Sequence, residues 1–122
     1  RLGAARDALS IVNDQIGGPT SAADIAGCLL LMAKEMASGH HGGTYHFAGA
    51  PDVSWADFAA EIFTQGHLKV DVTGIETEQY STPAKRPLNS RLDCGALKAD
   101  FGVMQPDWKL SLVQVMSELK RA

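Results

Sequence analysis

Ala8-Leu9-Ser10-Ile11-Val12-Asn13-Asp14-Gln15-Ile16-Gly17-Gly18-Pro19-Thr20-Ser21 is the stretch on which the fold turns. Ala8 to Val12 is short, apolar and β-branched at its end, which predicts a buried strand. Residues 13–20 carry two adjacent glycines and a proline and predict a tight polar loop. Ser21 then reads as a helix N-cap, with Asp24 at the third helical position and its charge near the positive helix end. Strand, loop and capped helix in that order open an α/β unit.

Downstream, Ile25, Cys28, Leu29, Met32 and Met36 recur at helical spacing and predict one core-facing stripe, ended by Gly39. Thr44 to Phe47 predicts a strand that Gly49 and Pro51 stop. Ser54 caps a second helix, with Asp57 at the third position and Val53 placed to staple onto Phe58. Trp55, Phe58, Ala59, Ile62 and Phe63 are expected in the core, and Gly66 ends the helix. The β-branched residues between Val70 and Tyr80 predict another strand. Pro83 and Pro87 exclude a regular helix over 81–93. Asp93 is expected to cap a short helix through Leu97 and Phe101, closed by Gly102. Trp108, Leu112, Val115, Met116 and Leu119 mark one face of a last helix. Arg1 to Asp7 reads as the tail of an amphipathic helix, and with no initiating Met the simplest account is a piece of a longer protein. The expected fold is α/β with about four helices and short strands, a small lobe rather than a full doubly wound sheet.

The 122 residues suffice for one domain, and 45% apolar with 20% charged residues is ordinary globular usage. A net charge of -3 argues against nucleic acid or an anionic membrane as the main partner, since binders of phosphate backbones carry a basic face. No apolar run reaches the length that spans a bilayer. Cys28 and Cys94 belong to no Cys-x-x-Cys pair and read as reduced thiols of a cytoplasmic chain.

The motif search is mostly negative. The sequence has no Gly-x-Gly-x-x-Gly, Walker loop, Gly-x-Ser-x-Gly or His-Glu-x-x-His. His40 and His41 lack companions at metal-ligand spacing and read as an exposed helix end. His46 is expected to be a hydrogen-bonded structural histidine within its strand, and His67 to face water. Two loops invite more. Asp14 to Thr20 puts amide, carboxylate and hydroxyl groups at the C-terminal end of a strand, where ligands of open α/β sheets bind. The same residues serve equally as a turn that feeds the helix cap. Lys85-Arg86-Pro87-Leu88-Asn89-Ser90-Arg91 gathers three cations, and Pro87 biases Arg86 toward extended backbone, where its guanidinium suits two phosphate oxygens. A solvated basic loop explains that composition as well.

In order along the chain, residues 13–20, Gly43 to Phe47, Ser54-Trp55-Ala56-Asp57-Phe58-Ala59, Ala84 to Leu92 and Pro106-Asp107-Trp108 resemble the dTDP-4-dehydrorhamnose reductase family of extended short-chain dehydrogenases. The resemblance covers essentially the whole chain and the C-terminal part of the family only. It implies that residues 1–122 are the substrate-binding lobe, working beside an N-terminal Rossmann domain that holds NAD(P)H and the catalytic residues. It implies reduction of the 4-keto group of dTDP-4-dehydro-L-rhamnose, with a nucleotide sugar as the partner and room for a homodimer. The sequence departs from the whole enzyme in lacking Tyr-x-x-x-Lys: Tyr80 and Lys85 stand one residue too far apart. Carried over by position, Arg86 matches a diphosphate-binding arginine, and Gln15, Gly17, Pro19 and Thr20 match the loop by the substrate cleft. Lys85, Asn89 and Ser90 share the basic motif. No catalytic, metal or cofactor residue is expected within this chain. Two other readings keep the architecture: a non-catalytic homologue of the methionine adenosyltransferase regulatory type, and another sugar-nucleotide reductase or epimerase.

Overall fold

The computed structural model describes residue 3 and residues 5–120. The helical reading of Arg1–Asp7 falls partly on Arg1, Leu2 and Ala4, which lie outside the described residues. Elements follow in the order β1 (Ala8–Val12), β2 (Ile16–Gly17), α1 (Ala22–Ala37), β3 (Val53–Ser54), α2 (Trp55–Gln65), β4 (Asp71–Ile75), β5 (Asn89–Ser90), α3 (Gly95–Phe101) and α4 (Trp108–Leu119). Thr77–Gln79 adds a turn of 3-10 helix. The α/β class and the four helices match the sequence expectation.

The strands form two small sheets. β1 and β4 pair in parallel, Ala8 opposite Asp71 through Val12 opposite Ile75. Helix α2 packs against both strands and against α4. In the second sheet β2 lies centrally, antiparallel to β3 and parallel to β5.

Both expected serine caps form. The Ser21 hydroxyl accepts from the Asp24 N–H at 3.0 Å and donates to the Asp24 carboxylate at 2.6 Å. Ser54 and Asp57 repeat the device at 3.0 and 2.7 Å. The Asp24 carboxylate also accepts from the Ser111 hydroxyl at 2.6 Å, so the cap of α1 is tied to the first turn of α4. Gly102 takes the left-handed conformation that closes α3 (φ 67°). At the end of α2 that conformation falls instead to His67 (φ 54°), one residue beyond Gly66.

The core differs from the expected one. Leu97, Trp108, Ala48, Ala56, Cys94, Cys28, Val12 and Leu112 are buried. Ile25, Leu29 and Met36 on α1 and Val115 and Leu119 on α4 are exposed, because no element among the described residues covers those parts of their stripes. β1 is not buried either: only Val12 is, since its sheet has two strands. Thr44–Phe47 makes no strand. Its neighbours Ala48, Gly49 and Ala50 are held by the Gln105 side chain, the Thr20 hydroxyl and the Pro106 carbonyl rather than by a strand ladder. His46 is exposed there, against expectation. At α3 the helix cap position is Cys94, while Asp93 accepts from the Gly95 N–H at 2.8 Å.

Candidate functional site

The ends of the two sheets create the site. β1 and β4 run in parallel, so the loops after them leave at the same end. The Asn13 N–H bonds the Ile75 carbonyl at 2.9 Å. One residue on, the Asp14 carboxylate accepts from the Thr77 N–H at 3.0 Å and the Thr77 hydroxyl at 2.6 Å. The Gln15 side-chain amide donates to the same hydroxyl at 3.0 Å. These Thr77 donors hold the Asp14 carboxyl below the usual carboxylate range. The neighbouring Glu76 carboxyl is pushed up, first by its hydrogen bond to Asp14 and then by the Asp14 charge. Gln15 is thereby pinned at the entrance to β2.

β2 then brings the two loops together. Ile16 pairs with Asn89 and Gly17 with Ser90, and the Ile16 N–H donates to the Leu88 carbonyl at 2.8 Å. On the other side of β2, Ile16 lies opposite Ser54 and Gly17 opposite Val53. At the Ile16 end, three features therefore converge: Gln15 entering β2, Arg86-Pro87-Leu88 entering β5, and Trp55 leaving β3. The opposite end is closed by an ion pair, Arg91 Nε to Asp52 at 3.4 Å. β5 thus splits the basic stretch: Arg91 emerges at the far end against Asp52, not beside Arg86 as the sequence suggested. The Asn89 side-chain oxygen accepts from the Arg91 N–H and guanidinium at 3.1 and 3.2 Å. Lys85 and Arg86 are exposed, and neither pairs with a carboxylate among the described residues.

A cleft of about 490 Å³, part of it open to solvent, runs along this sheet. Its walls include Gln15, Gly17, Pro19, Trp55, Phe58 and Ser90. Of the residues singled out from sequence, Gln15, Gly17, Pro19 and Ser90 line it. Asn89 lies in β5 opposite Ile16, and Lys85 and Arg86 precede that strand at its Ile16 end; none of the three lines the cleft. Thr20 faces away: its hydroxyl donates to the Gly18 carbonyl and accepts from the Gly49 N–H, both at 3.0 Å. Gly18 and Gly49 cross there so closely that a Cβ on Gly18 would lie 2.2 Å from the Gly49 oxygen. A Cβ on Gly49 would likewise lie 2.0 Å from the Pro19 oxygen. The glycine pair serves this crossing of two chain segments.

Residues 1–121 match the family model described as the RmlD substrate binding domain. The chain belongs to this family. It is 42% identical over 123 residues to a dTDP-4-dehydrorhamnose reductase of Aggregatibacter actinomycetemcomitans, covering 94% of this chain and 42% of that protein. The namesake from Sinorhizobium fredii (strain NBRC 101917 / NGR234) is 39% identical, over 91% of this chain and 40% of the relative. The crystal structure of a dTDP-4-dehydrorhamnose reductase from Clostridium acetobutylicum superposes with a TM-score of 0.90 at 38% identity, over 98% of this chain and 41% of that one. That of Bacillus anthracis, in complex with NADP, gives 0.83 at 34% identity, over 97% and 41%. The chain therefore spans about two fifths of the length of the curated relatives it matches.

In this RmlD substrate-binding domain, sequence reasoning missed Trp55 as a residue of the cleft. Helical spacing assigned it to the core, yet it is 56% exposed and stands at the cleft. The available signal was its position, directly after the Ser54 cap, where the first side chain of a helix need not follow the buried stripe. Among the described residues, no group of three or more His, Cys, Asp or Glu is placed to hold a metal ion. No described helix is long and apolar enough to cross a membrane.

Proposed function

We propose that residues 1–122 are the nucleotide-sugar-binding lobe of a dTDP-4-dehydrorhamnose reductase, which reduces the 4-keto group of dTDP-4-dehydro-L-rhamnose to give dTDP-L-rhamnose. The observation that carries this reading is the convergence at one sheet end of Gln15, the unpaired Lys85-Arg86 pair and an apolar cleft. An exposed guanidinium without a carboxylate partner is free to grip two oxygens of a diphosphate. Gln15 keeps its side-chain oxygen for a substrate N–H or hydroxyl while its amide group stays bound to Thr77. Gly17 and Asn89 line up the flanking backbones, and Thr20 acts by holding the Gly18–Gly49 crossing. We assign this work to the cytoplasm, a reading that the two free thiols, Cys28 and Cys94, support.

The reduction needs a hydride donor, and the Bacillus anthracis relative was crystallised with NADP. Among the described residues, the glycine-containing loop does not fit that cofactor's pyrophosphate. Gly17 is paired in β2 against Ser90, the Gly49 backbone crosses against Gly18, and Pro19 removes an N–H where a pyrophosphate would need one. NAD(P)H is accordingly assigned to a Rossmann domain of the parent enzyme, against which this lobe closes.

The test is steady-state kinetics of the complete natural chain with dTDP-4-dehydro-L-rhamnose and NAD(P)H. The diphosphate is present in ground and transition states alike, so its contact supplies mainly uniform binding. Arg86→Ala should raise KM by about tenfold to a hundredfold, equivalent to roughly 1.5–3 kcal/mol for a charge-assisted bond. Arg86→Lys should recover part of it, since the charge remains but the planar fork is lost. An unchanged KM in Arg86→Ala would remove the diphosphate assignment, and absence of turnover in the wild type would remove the reductase reading.

A further inference from the structure

We propose that Trp55 is the aromatic platform on which the planar base of the nucleoside diphosphate stacks. The inference rests on the substrate-lobe reading above and names how that lobe holds the half of its ligand that Arg86 does not reach.

The first argument is exposure. An indole 56% exposed in a domain that buries its other tryptophan to 3% is a large apolar surface left in water. It stands at the cleft, not on a random face. The second argument is support. Phe58 meets the Trp55 ring edge-on with centroids 6.3 Å apart, and Trp108 meets Phe58 the same way at 5.4 Å. The row of three rings runs from the core outward and ends in Trp55. A ring braced on its inner side loses little freedom when a flat ligand covers its outer side.

The third argument is what the cleft offers chemically. Ser54 has both its donor and its acceptor engaged by Asp57, and the Gln15 amide group is engaged by Thr77. Val53, Pro19 and Phe58 have apolar side chains. A sugar ring, studded with hydroxyls, would leave many of them unpaired here. A flat base, with an apolar face and polar groups confined to its edge, leaves few.

The fourth argument is spacing. Trp55 leaves β3 and Arg86 enters β5 at the same end of the sheet, with β2 between them. Neighbouring strands lie roughly 4.8 Å apart, which separates the two anchoring strands by about 10 Å. A nucleoside diphosphate bridges such a gap, base at one end and phosphates at the other, with its sugar over β2.

The experiment measures binding of thymidine diphosphate and of inorganic pyrophosphate by calorimetry, using the complete natural chain, its Trp55→Ala and Trp55→Phe variants, and Arg86→Ala. Stacking on an aromatic side chain predicts that Trp55→Ala weakens thymidine diphosphate by roughly fivefold to a hundredfold and leaves pyrophosphate unchanged. Trp55→Phe should restore most of the loss, and Arg86→Ala should weaken both ligands. Equal weakening of both ligands in Trp55→Ala would overturn the platform, since a structural role would act on both. So would a change under twofold for thymidine diphosphate while Arg86→Ala still loses affinity, an outcome that leaves the substrate-lobe reading standing. If the wild type binds no thymidine diphosphate, that reading falls and the platform falls with it.

Discussion

Two tryptophans open two helices of this domain, and they have opposite fates. Trp55 is the first residue of α2 and Trp108 the first of α4, each following a polar cap, Ser54 or Asp107. Trp108 is buried, and its indole N–H donates to the Pro51 carbonyl at 2.8 Å. Its backbone N–H reaches the Ala50 carbonyl at 3.2 Å. Trp55 has Phe58 on one side and solvent on the other. What differs is what the chain brings opposite: the 48–51 segment covers Trp108, whereas only the open cleft faces Trp55. Identical helix positions thus supply a keystone of the core in one case and an exposed cleft wall in the other.

The sharpest way to break this contrast is to truncate both rings. Trp108→Ala removes a buried indole and its hydrogen bond and should cost about 3–5 kcal/mol of stability. Trp55→Ala should cost about 1 kcal/mol or less, as an exposed residue does. Urea unfolding of the two variants decides the matter, and equal losses would mean that Trp55 is a core residue after all. A milder probe is Ser111→Ala, on the α4 turn that carries Trp108. It deletes the bond to the Asp24 carboxylate that ties α4 to the cap of α1, with an expected loss of about 1.5–2 kcal/mol in the same assay. Ligand affinity at the Trp55 cleft should stay as in the wild type.

The smallest effect concerns the cleft side and is read from pH. Asp14 has a folded-state pKa lowered from 3.8, so its contribution to stability is present above that value and is lost as pH falls through the lowered one. Glu76 has a folded-state pKa raised from 4.5, so its contribution is present below 4.5 and is lost as pH rises through the raised value. The two slopes oppose each other. Asp14→Asn removes the first and the cause of the second, so its urea midpoint should vary less than the wild type's around pH 4. Superimposable pH curves would mean that the Thr77 donors do not distinguish folded from unfolded Asp14.

Much of this was legible in the sequence, for identifiable reasons. Ser21, Ser54 and Gly102 mark helix boundaries because capping is local chemistry between residues three or four apart. β1 and β4 were legible from β-branched runs. The pairing of β2 with β5 was not, since Ile16-Gly17 and Asn89-Ser90 are two-residue strands with no periodicity to read and belong together only through tertiary structure. Helical spacing names a stripe but not its cover, which is why Ile25, Leu29, Leu119 and Trp55 were assigned to a core they do not enter. Thr44–Phe47 has strand-forming residues but pairs with no strand among the described residues. At the site, Gln15 and Arg86 were identified as separate loops, and only the fold showed that they share one sheet end and that Arg91 does not.

The parallel pairing of Ile16 and Gly17 with Asn89 and Ser90 has a consequence for how the molecule breathes. It joins segments far apart in the chain, and closing so long a loop carries a large conformational entropy. A ladder of two residues on each side, with the Arg91–Asp52 ion pair beyond it, opposes that entropy, whereas β1 and β4 share a register of five. The shorter ladder is therefore expected to be the first to open, which amide hydrogen exchange at Ile16 and Gly17 against Leu9 to Val12 would read. A ligand bridging β3 and β5, as proposed above, would act as a removable cross-link over that seam.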